Sequence, residues 1–546
     1  MKRQHYRIAL VLILVAATLI RVWGLNYDLP GIYHPDEPDY IRISQRIFKT
    51  GDLNPHAFNY PSLFFYLQAL AYAPYYAVGR ALGDFQHPED IAEPTSLIMG
   101  VTQTAMPSTV IMGRSVTVGV AVASVLLVTL IGKQLTGQPL VGLLAGTMLA
   151  ISPTHVFHGR FITPDAIVTF FAVLTTWFAV KVLQEDATRH YLATGVALGL
   201  TAGSKYNGAL IALVLITAHF LRHHKADGKH GLIVALKDPR IYVALALGGI
   251  TFLLTTPFAL LDFTTFIEDF TYEAQHYATG HTGQEGDTVR FYLTYLLRNT
   301  GAICILALLA IVRIPVADWA PTKGRRLRIS STSTLFLAIF PVVYFIFINR
   351  FVVRNDRMLM PFLPFLFLLA ADQLGRWWTA LSPLTESGRR HPWRLAALTA
   401  LTLVMVLLPL SRTVSRTLRL VTVDSRETAR VWINENLPAG ARIAIEAYAP
   451  YINVTRFSVQ PVGRIIDHAP AWYQSQEIDY LVFAEGMFGR FYGEPDRYGE
   501  QVQQYEAFFE CFALVRDFDD GGYDVYLYRL DGKEPCQSHV VPADVK

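Results

Sequence analysis

Long apolar runs follow one another from the amino terminus to about residue 410, and short polar segments separate them. Most are long enough to cross the ~30 Å hydrocarbon core of a bilayer as a helix. The pattern predicts a polytopic α-helical membrane protein with about eleven transmembrane helices. These helices are expected at residues 8–23, 111–132, 139–157, 164–183, 190–203, 207–221, 241–261, 291–312, 333–349, 358–375 and 394–410.

Segment 61–79 is apolar and rich in tyrosine and phenylalanine, but Pro61 and Pro74 interrupt it. It could form a short twelfth span. We favour an interfacial helix that lies along the membrane, because aromatic side chains are common at that depth. A full span would also invert the sidedness of every later loop.

The distribution of charge in the loops predicts the topology. Lys2, Arg3 and Arg7 precede the first run, and no small-residue cleavage site follows it, so we expect a retained helix with a cytoplasmic amino terminus. The loops then assigned to the cytoplasm contain basic segments at residues 222–229, 323–328 and 376–390. The loops assigned outside carry most of the acids, namely Asp36, Glu37, Asp39, Glu89, Asp90, Glu93, Asp262, Glu268, Asp269 and Glu273. We therefore expect an integral plasma-membrane protein.

The chain from residue 411 to 546 has a different pattern. It predicts an amphipathic helix at 424–437 and strands at 441–447, 479–484 and 523–530. Alternating helices and strands indicate a soluble α/β domain, which an odd number of spans places outside. Cys511 and Cys536 could form a disulfide there, although spacing alone does not establish it. The predicted domains are thus 1–410, with a first outside loop at 24–110, and 411–546.

Composition excludes some classes of function. The formal net charge is only +3 and charged residues make up 17% of the chain, which does not indicate a nucleic-acid partner. The sequence contains no phosphate-binding loop, no dinucleotide fingerprint and no nucleophile elbow. A reaction would therefore need an activated substrate that is already at the membrane.

Adjacent acids in the first outside loop are the main candidates for chemistry. Asp36 and Glu37 precede an amphipathic stretch that would hold them at headgroup level. A carboxylate there could take a proton from a hydroxyl or amine, or bind a cation. They could equally be solvated charges that cap a helix.

Other charged residues are predicted on the same side. Asp165 could act with the first-loop acids, or only complement the start of its helix. Lys205, Arg354 and Arg357 could bind phosphate, or contact lipid headgroups. His155 and His158 could share a helix face and bind metal, but no third ligand is evident. The loop 262–290, which contains Glu273, His276 and His281, could line an acceptor site or only cover the cavity.

The order of these segments resembles the GT-C glycosyltransferases of the protein O-mannosyltransferase and aminoarabinose transferase type (family 39 type). The resemblance covers about residues 1–410. Its elements are Asp36-Glu37 with Tyr40, the segment from Pro61, the turn from Ser152 through Arg160 to Asp165, the segment from Gly199 to Gly208, and the segment from Arg357 to Pro364.

This resemblance implies a transfer of sugar from a polyprenyl-phosphate carrier to a protein, lipid or glycan acceptor outside the cytoplasm, with inversion. It implies that Asp36 is the general base, with Glu37 and Asp165 as further acids. It implies donor-phosphate roles for Lys205 and Arg357 and matches Tyr40 to an aromatic position of the family, and we assign Arg354 and Tyr40 to the same phosphate site. The candidate acceptor or cavity residues are His34, Arg160, Glu273 and His276.

No cofactor is firmly implied. A divalent cation could bind through Glu37 and His158. The sequence departs from the aminoarabinose transferases at Asn59 and Tyr60, where that family has a Glu-Lys pair, so that pair supplies neither a metal ligand nor a phosphate ligand here.

Two other classes of protein fit part of the pattern. A transporter or flippase of a lipid-linked or small polar substrate would explain the many spans. A non-catalytic scaffold would explain the displayed tail. The enzyme is distinguished by Asp36, Asp165, Lys205 and Arg357 gathering around one cavity.

Overall fold

The computed structural model describes residues 2–280, 282–319, 325–381 and 392–530. The side chains of the basic segments 323–328 and 389–390, together with those of His281 and Cys536, lie outside this part of the chain. The pairing of Cys536 with Cys511 therefore stays a prediction.

In the described ranges, eighteen α-helices precede the tail. They are α1 (Arg3–Val22), α2 (Glu37–Thr50), α3 (Leu63–Leu82), α4 (Pro107–Thr136), α5 (Pro139–Ala150), α6 (Pro153–His158), α7 (Pro164–Gln184), α8 (Thr188–Ser204), α9 (Ala212–Asp227), α10 (Gly231–Lys237), α11 (Pro239–Thr255), α12 (Phe258–Leu261), α13 (Phe263–Thr279), α14 (Thr288–Thr300), α15 (Ala302–Trp319), α16 (Arg325–Ile348), α17 (Leu363–Leu381) and α18 (Pro392–Val421). Proline begins several of them, because the missing N–H costs nothing at the first helical position.

Apolar composition supports membrane insertion. Among the described residues, four helical segments are long and apolar enough to cross a bilayer, and five if one bent pair counts as a span. The four are α1, α4, α7 and the segment Trp393–Asn436, which includes most of α18. The chain is an integral membrane protein, while the count of about eleven spans stays a prediction.

Several predicted helices are wrong as single elements, since 139–157 is divided between α5 and α6 and 241–261 between α11 and α12. The run 291–312 is divided at Gly301 into α14 and α15, and their axes differ by 116°. Gly301 adopts a φ of +54°, a left-handed conformation that ends α14. A bend of this size means that α14 does not continue the direction of α15.

The main core lies among the long helices. α4 packs against α5 and α7, α8 packs between α7 and α11, and α17 packs on α15 and α5. Glycine permits the closest approaches: at Gly142, a Cβ would lie 2.2 Å from the Thr129 carbonyl oxygen of α4. Small residues at such crossings are typical of membrane helix pairs.

The tail forms its own core around a mixed sheet. Its helices are α19 (Ser425–Asn436), α20 (Pro470–Ser475), α21 (Glu485–Tyr492) and α22 (Pro495–Cys511). Its strands are β3 (Arg442–Ile445), β4 (Ser458–Pro461), β5 (Tyr480–Ala484), β6 (Ala513–Phe518) and β7 (Val525–Arg529). The strand order is β4-β3-β5-β7-β6, with β3 parallel to both neighbours and β7 antiparallel to both. The predicted helix and the three predicted strands are all present.

A small hairpin joins the two parts. Strands β1 (Thr95–Ile98) and β2 (Val101–Gln103) pair antiparallel, and Val101 belongs to the core of the tail. The Tyr448 N–H donates to the Met99 carbonyl oxygen at 3.0 Å. Gly100 has a φ of +72°, and a Cβ there would lie 2.7 Å from the Tyr448 ring, so the contact requires glycine. The hairpin thereby anchors the tail to the first outside loop.

Candidate active site

A cavity of about 760 Å³ lies where the first loop, α13, the turn before α17 and the tail meet. Volumes of this size are typical of small-molecule sites. Seven of the sequence-predicted residues line it, namely His34, Asp36, Tyr40, His158, Glu273, His276 and Arg357. Residues from distant parts of the chain therefore meet at one place.

An ion pair between Asp36 and Arg357 occupies the wall of the cavity. Asp36 directly precedes α2 and its side chain makes no capping hydrogen bond to that helix, and Arg357 lies in the 3-10 turn Asp356–Leu359. Burial alone would raise the pKa of Asp36, but the positive charges of Arg357 and His34 outweigh it and lower this pKa to about 2. The Asp36 side chain keeps 29% of its exposure and the Arg357 side chain 16%, so a ligand in the cavity can reach both groups.

A second ion pair lies behind this one. Lys205 Nζ donates to Asp165 Oδ1 at 2.8 Å, and the ammonium lies 5.7 Å from the centre of the Tyr60 ring, which lines the cavity. Asp165 belongs to the first turn of α7 and Lys205 follows the last residue of α8. The Lys205 charge also contributes to the lowered pKa of Asp36. Neither Asp165 nor Lys205 lines the cavity, so only Asp36 and Arg357 of the four predicted charged residues do, and the second ion pair is buried behind them.

Glu37 does not face the cavity. It is fully buried, and its carboxylate accepts from Arg114 Nη2 at 2.7 Å, from Arg114 Nε at 3.0 Å and from the Ile162 N–H at 2.8 Å. This bidentate pair ties α2 to α4 and to the segment before α7. The arrangement does not fit a metal ion at Glu37, because the Arg114 guanidinium already neutralises the carboxylate and both carboxylate oxygens already accept hydrogen bonds.

His158 lines the cavity and is held by a chain of hydrogen bonds. Its Nε2 lies 3.0 Å from Asp356 Oδ1, and the Tyr295 hydroxyl donates to Asp356 Oδ2 at 2.6 Å. Burial alone would raise the pKa of Asp356, but the neighbouring charge and hydrogen bond of His158 lower it. Glu37 and His158 each have their own partner and do not converge on a common ion.

Two predicted arginines lie elsewhere. Arg160 is buried and donates to the Ile20 carbonyl oxygen and, at 2.8 Å, to Thr417 Oγ1, so it joins α1 to α18. Arg354 pairs with Glu494 of the tail and lines a separate cavity.

Several residues at the site were not predicted from the sequence. Arg114 in the apolar helix α4 had a usable signal, because an intramembrane charge usually has a partner or a function. Asp356 resembled an ordinary loop acid. Tyr448 and Met99 line the cavity from the tail and the hairpin, and no local pattern indicates that.

Among the described residues, one group of three has metal-ligand geometry: His219, His223 and Asp238. It lies near the first turn of α8, at the opposite end of that helix from Lys205. Asp238 is already paired with Arg240, and both ring nitrogens of His219 have hydrogen-bond partners, namely the Tyr191 hydroxyl and the Ala235 carbonyl oxygen. This group belongs to the packing of α8 to α11 and is remote from the cavity.

Comparisons with known proteins agree with this architecture. The family model described as dolichyl-phosphate-mannose-protein mannosyltransferase matches residues 101–278. No curated protein sequence matches the chain.

Solved structures with a similar fold include oligosaccharyltransferases and ArnT. The apo oligosaccharyltransferase of Archaeoglobus fulgidus is similar with a TM-score of 0.54 and 12% identity, over 90% of this chain and 71% of that one. The oligosaccharyltransferase AglB of that organism, in complex with an inhibitory peptide and a dolichol-phosphate, is similar with a TM-score of 0.52 and 11% identity, over 94% and 74%. ArnT from Cupriavidus metallidurans in the apo state is similar with a TM-score of 0.52 and 15% identity, over 95% and 97%. The resemblance to the GT-C glycosyltransferases is confirmed for the fold.

Proposed function

We propose that this chain is a membrane glycosyltransferase that moves a sugar from a polyprenyl-phosphate carrier to an acceptor on the extracytoplasmic side of the plasma membrane. One observation carries the proposal: Asp36 and Arg357 form an ion pair in the wall of one cavity, and Asp165 and Lys205 form a buried ion pair behind it. The carboxylates suit an acceptor hydroxyl or amine, and the cations suit a departing phosphate.

The comparisons support the class of donor. The matched family model names dolichyl-phosphate-mannose, and AglB was solved with a dolichol-phosphate. With about eleven spans and a cytoplasmic amino terminus, the cavity and the tail would lie outside. The carrier would then present its sugar from the outer leaflet.

The proposed step is a single displacement with inversion. The acceptor oxygen or nitrogen forms a bond to the anomeric carbon while the bond from that carbon to the phosphate oxygen breaks. The electron pair of the broken bond leaves with the polyprenyl phosphate, and the acceptor proton goes to Asp36. No group in this step needs a metal ion, and Arg357 and Lys205 neutralise the charge that develops on the phosphate.

Arg357 links donor binding to the strength of the base. While it pairs with Asp36, it holds the pKa of that carboxyl near 2, which makes a weak base. A donor phosphate competes for the same guanidinium, because Arg binds phosphate oxygens through two N–H groups. Transfer of Arg357 to the phosphate leaves Asp36 in a partly desolvated site without its main cationic partner and raises its pKa, so Asp36 becomes a better proton acceptor when the donor is present.

The test is sugar transfer by the purified full chain, with a panel of radiolabelled polyprenyl-phosphate hexoses and pentoses and with native membranes as the source of acceptor. We expect transfer from at least one donor, and a loss of about 100-fold or more in Asp36→Asn, since general base catalysis contributes roughly 10²–10⁴. Asp52→Asn is the matched control, because Asp52 is an exposed acid of the same loop that does not line the cavity. Full transfer by Asp36→Asn would exclude Asp36 as the base, and no transfer from any donor by the wild-type chain would exclude the donor class.

A further inference from the structure

A second cavity, of about 540 Å³, lies between α14, the turn before α17 and the tail. It is separate from the Asp36 cavity. Tyr295 lines the second cavity and His158 the first, and Asp356 accepts hydrogen bonds between them. The wall between the two cavities is thus a hydrogen-bonded row of side chains.

The second cavity carries excess positive charge. Arg290, Arg298 and Arg354 line it together with Asp287 and Glu494. Glu494 pairs with Arg354, and Asp287 caps α14 by accepting from the Arg290 N–H at 2.9 Å. In the part of the chain that the structure describes, no carboxylate pairs with the guanidinium of Arg290 or of Arg298. Both are available to an anion.

Helical spacing places the two free guanidinium groups on one face. Arg290, Thr294 and Arg298 are four residues apart and all three are exposed. Two turns separate the arginines by about 12 Å along the helix axis, and both side chains are long enough to meet near the Thr294 hydroxyl. Three hydrogen-bond donors that line one cavity are therefore within reach of a single phosphate.

The neighbouring face of α14 is apolar and open. Val289, Leu293 and Leu297 also recur at four-residue spacing, and their side chains are 46%, 40% and 48% exposed. The 116° bend at Gly301 directs α14 away from the axis of α15. A helix with an apolar stripe beside a cationic stripe is typical of elements that lie in the membrane interface.

We propose that the second cavity binds the phosphate-bearing headgroup of an anionic membrane lipid. Arg290 and Arg298 contact the phosphate, and the stripe of Val289, Leu293 and Leu297 contacts the acyl chains. The cavity volume exceeds that of a free phosphate and accommodates a headgroup. This inference does not depend on sugar transfer, because none of the residues of the Asp36 cluster takes part.

The test measures lipid binding to the purified full chain in detergent by native mass spectrometry and by calorimetry. Short-chain phosphatidylglycerol is the probe, and phosphatidylcholine of the same chain length and inorganic phosphate are the comparison ligands. We expect phosphatidylglycerol to bind at least tenfold more tightly than either. Equal binding of phosphatidylcholine would overturn the charge argument, and equal binding of inorganic phosphate would overturn the assignment to a lipid.

Variants locate the site. Arg290→Gln with Arg298→Gln is expected to weaken phosphatidylglycerol binding at least tenfold, and Arg412→Gln is the matched control, an exposed arginine on α18 that does not line the cavity. Thr294→Asp keeps both arginines and places a negative charge between them, so it should also remove binding. Binding that survives in the double variant and in Thr294→Asp, or an equal loss in Arg412→Gln, would overturn the site. An unchanged unfolding midpoint confirms that each variant is folded.

Discussion

Replacing Arg357 with glutamine should change how the stability of the protein depends on pH. In the folded wild-type chain the pKa of Asp36 is about 2, against an ordinary value of 3.8, although burial acts in the opposite direction. Without Arg357 the largest opposing charge is gone, and we expect the pKa of Asp36 to return to its ordinary value or above. The lowered pKa corresponds to about 2 kcal/mol of stability at neutral pH, with allowance for the partial exposure of the carboxylate.

The direction of the effect follows from proton linkage. A carboxyl whose pKa is lower in the folded state stabilises the fold only when it is ionised. This contribution is present in full above about pH 4 and is lost as the pH falls towards 2. The difference in stability between wild type and Arg357→Gln should therefore be about 2 kcal/mol at pH 7 and should shrink steadily below pH 4.

The measurement is a denaturant titration in detergent micelles at several pH values, followed by the fluorescence of the eight tryptophans. Arg442→Gln is the control, because Arg442 forms an exposed ion pair with Glu477, and such pairs contribute little. A stability difference that is the same at pH 3 and pH 7, or that is absent at pH 7, would refute the proposed coupling between Arg357 and Asp36.

Two further substitutions separate structural from binding roles. Glu37→Gln should destabilise the chain by roughly 3–5 kcal/mol, because it leaves the Arg114 charge buried without a partner, and adding Arg114→Met should restore part of that loss. Denaturant titration of the single and the double variant measures both effects. A Glu37→Gln variant as stable as wild type would contradict the structural role of the Glu37–Arg114 pair. Lys205→Met should raise the KM for the donor about tenfold, as expected for one lost charge-assisted hydrogen bond. Lys205→Arg keeps the positive charge and should retain more of the affinity for the donor. An unchanged KM in Lys205→Met would show that Lys205 does not bind the donor phosphate.

Much of the helical architecture could be predicted from the apolar runs, because hydrocarbon length fixes how long such runs must be. The runs 139–157, 241–261 and 291–312 are exceptions, because each is divided between two helices. In the last of them, Gly301 reads in sequence as an ordinary small residue of a membrane helix. Its effect depends on a left-handed φ that only the folded chain reveals. The pattern of apolar residues indicates helical periodicity, but it does not indicate which glycine adopts a positive φ and ends a helix.

The first-loop acids show what could not be predicted. Asp36 and Glu37 are adjacent in sequence, and neighbouring side chains at a helix start point in directions about 100° apart. Which of the two faces a cavity depends on Arg357 and Arg114, which are remote in the chain. The contribution of Tyr448 was equally hidden, because it requires the tail to dock on the hairpin. Partners across long sequence separations belong to tertiary structure.

The two acids also differ in a way that bears on the proposed chemistry. Glu37 is fully buried and accepts three hydrogen bonds, so removing any donor leaves a charge without water or partner. Asp36 is partly exposed and pairs with one arginine, so an incoming phosphate can displace it at a modest cost. A displaceable pair suits a residue that must change its basicity during a reaction, and a fixed pair suits a structural tie. Lys205 lies between these two cases, because it is buried behind the cavity with Asp165 as its carboxylate partner, and the proposed contact with the donor requires it to exchange Asp165 for a phosphate oxygen.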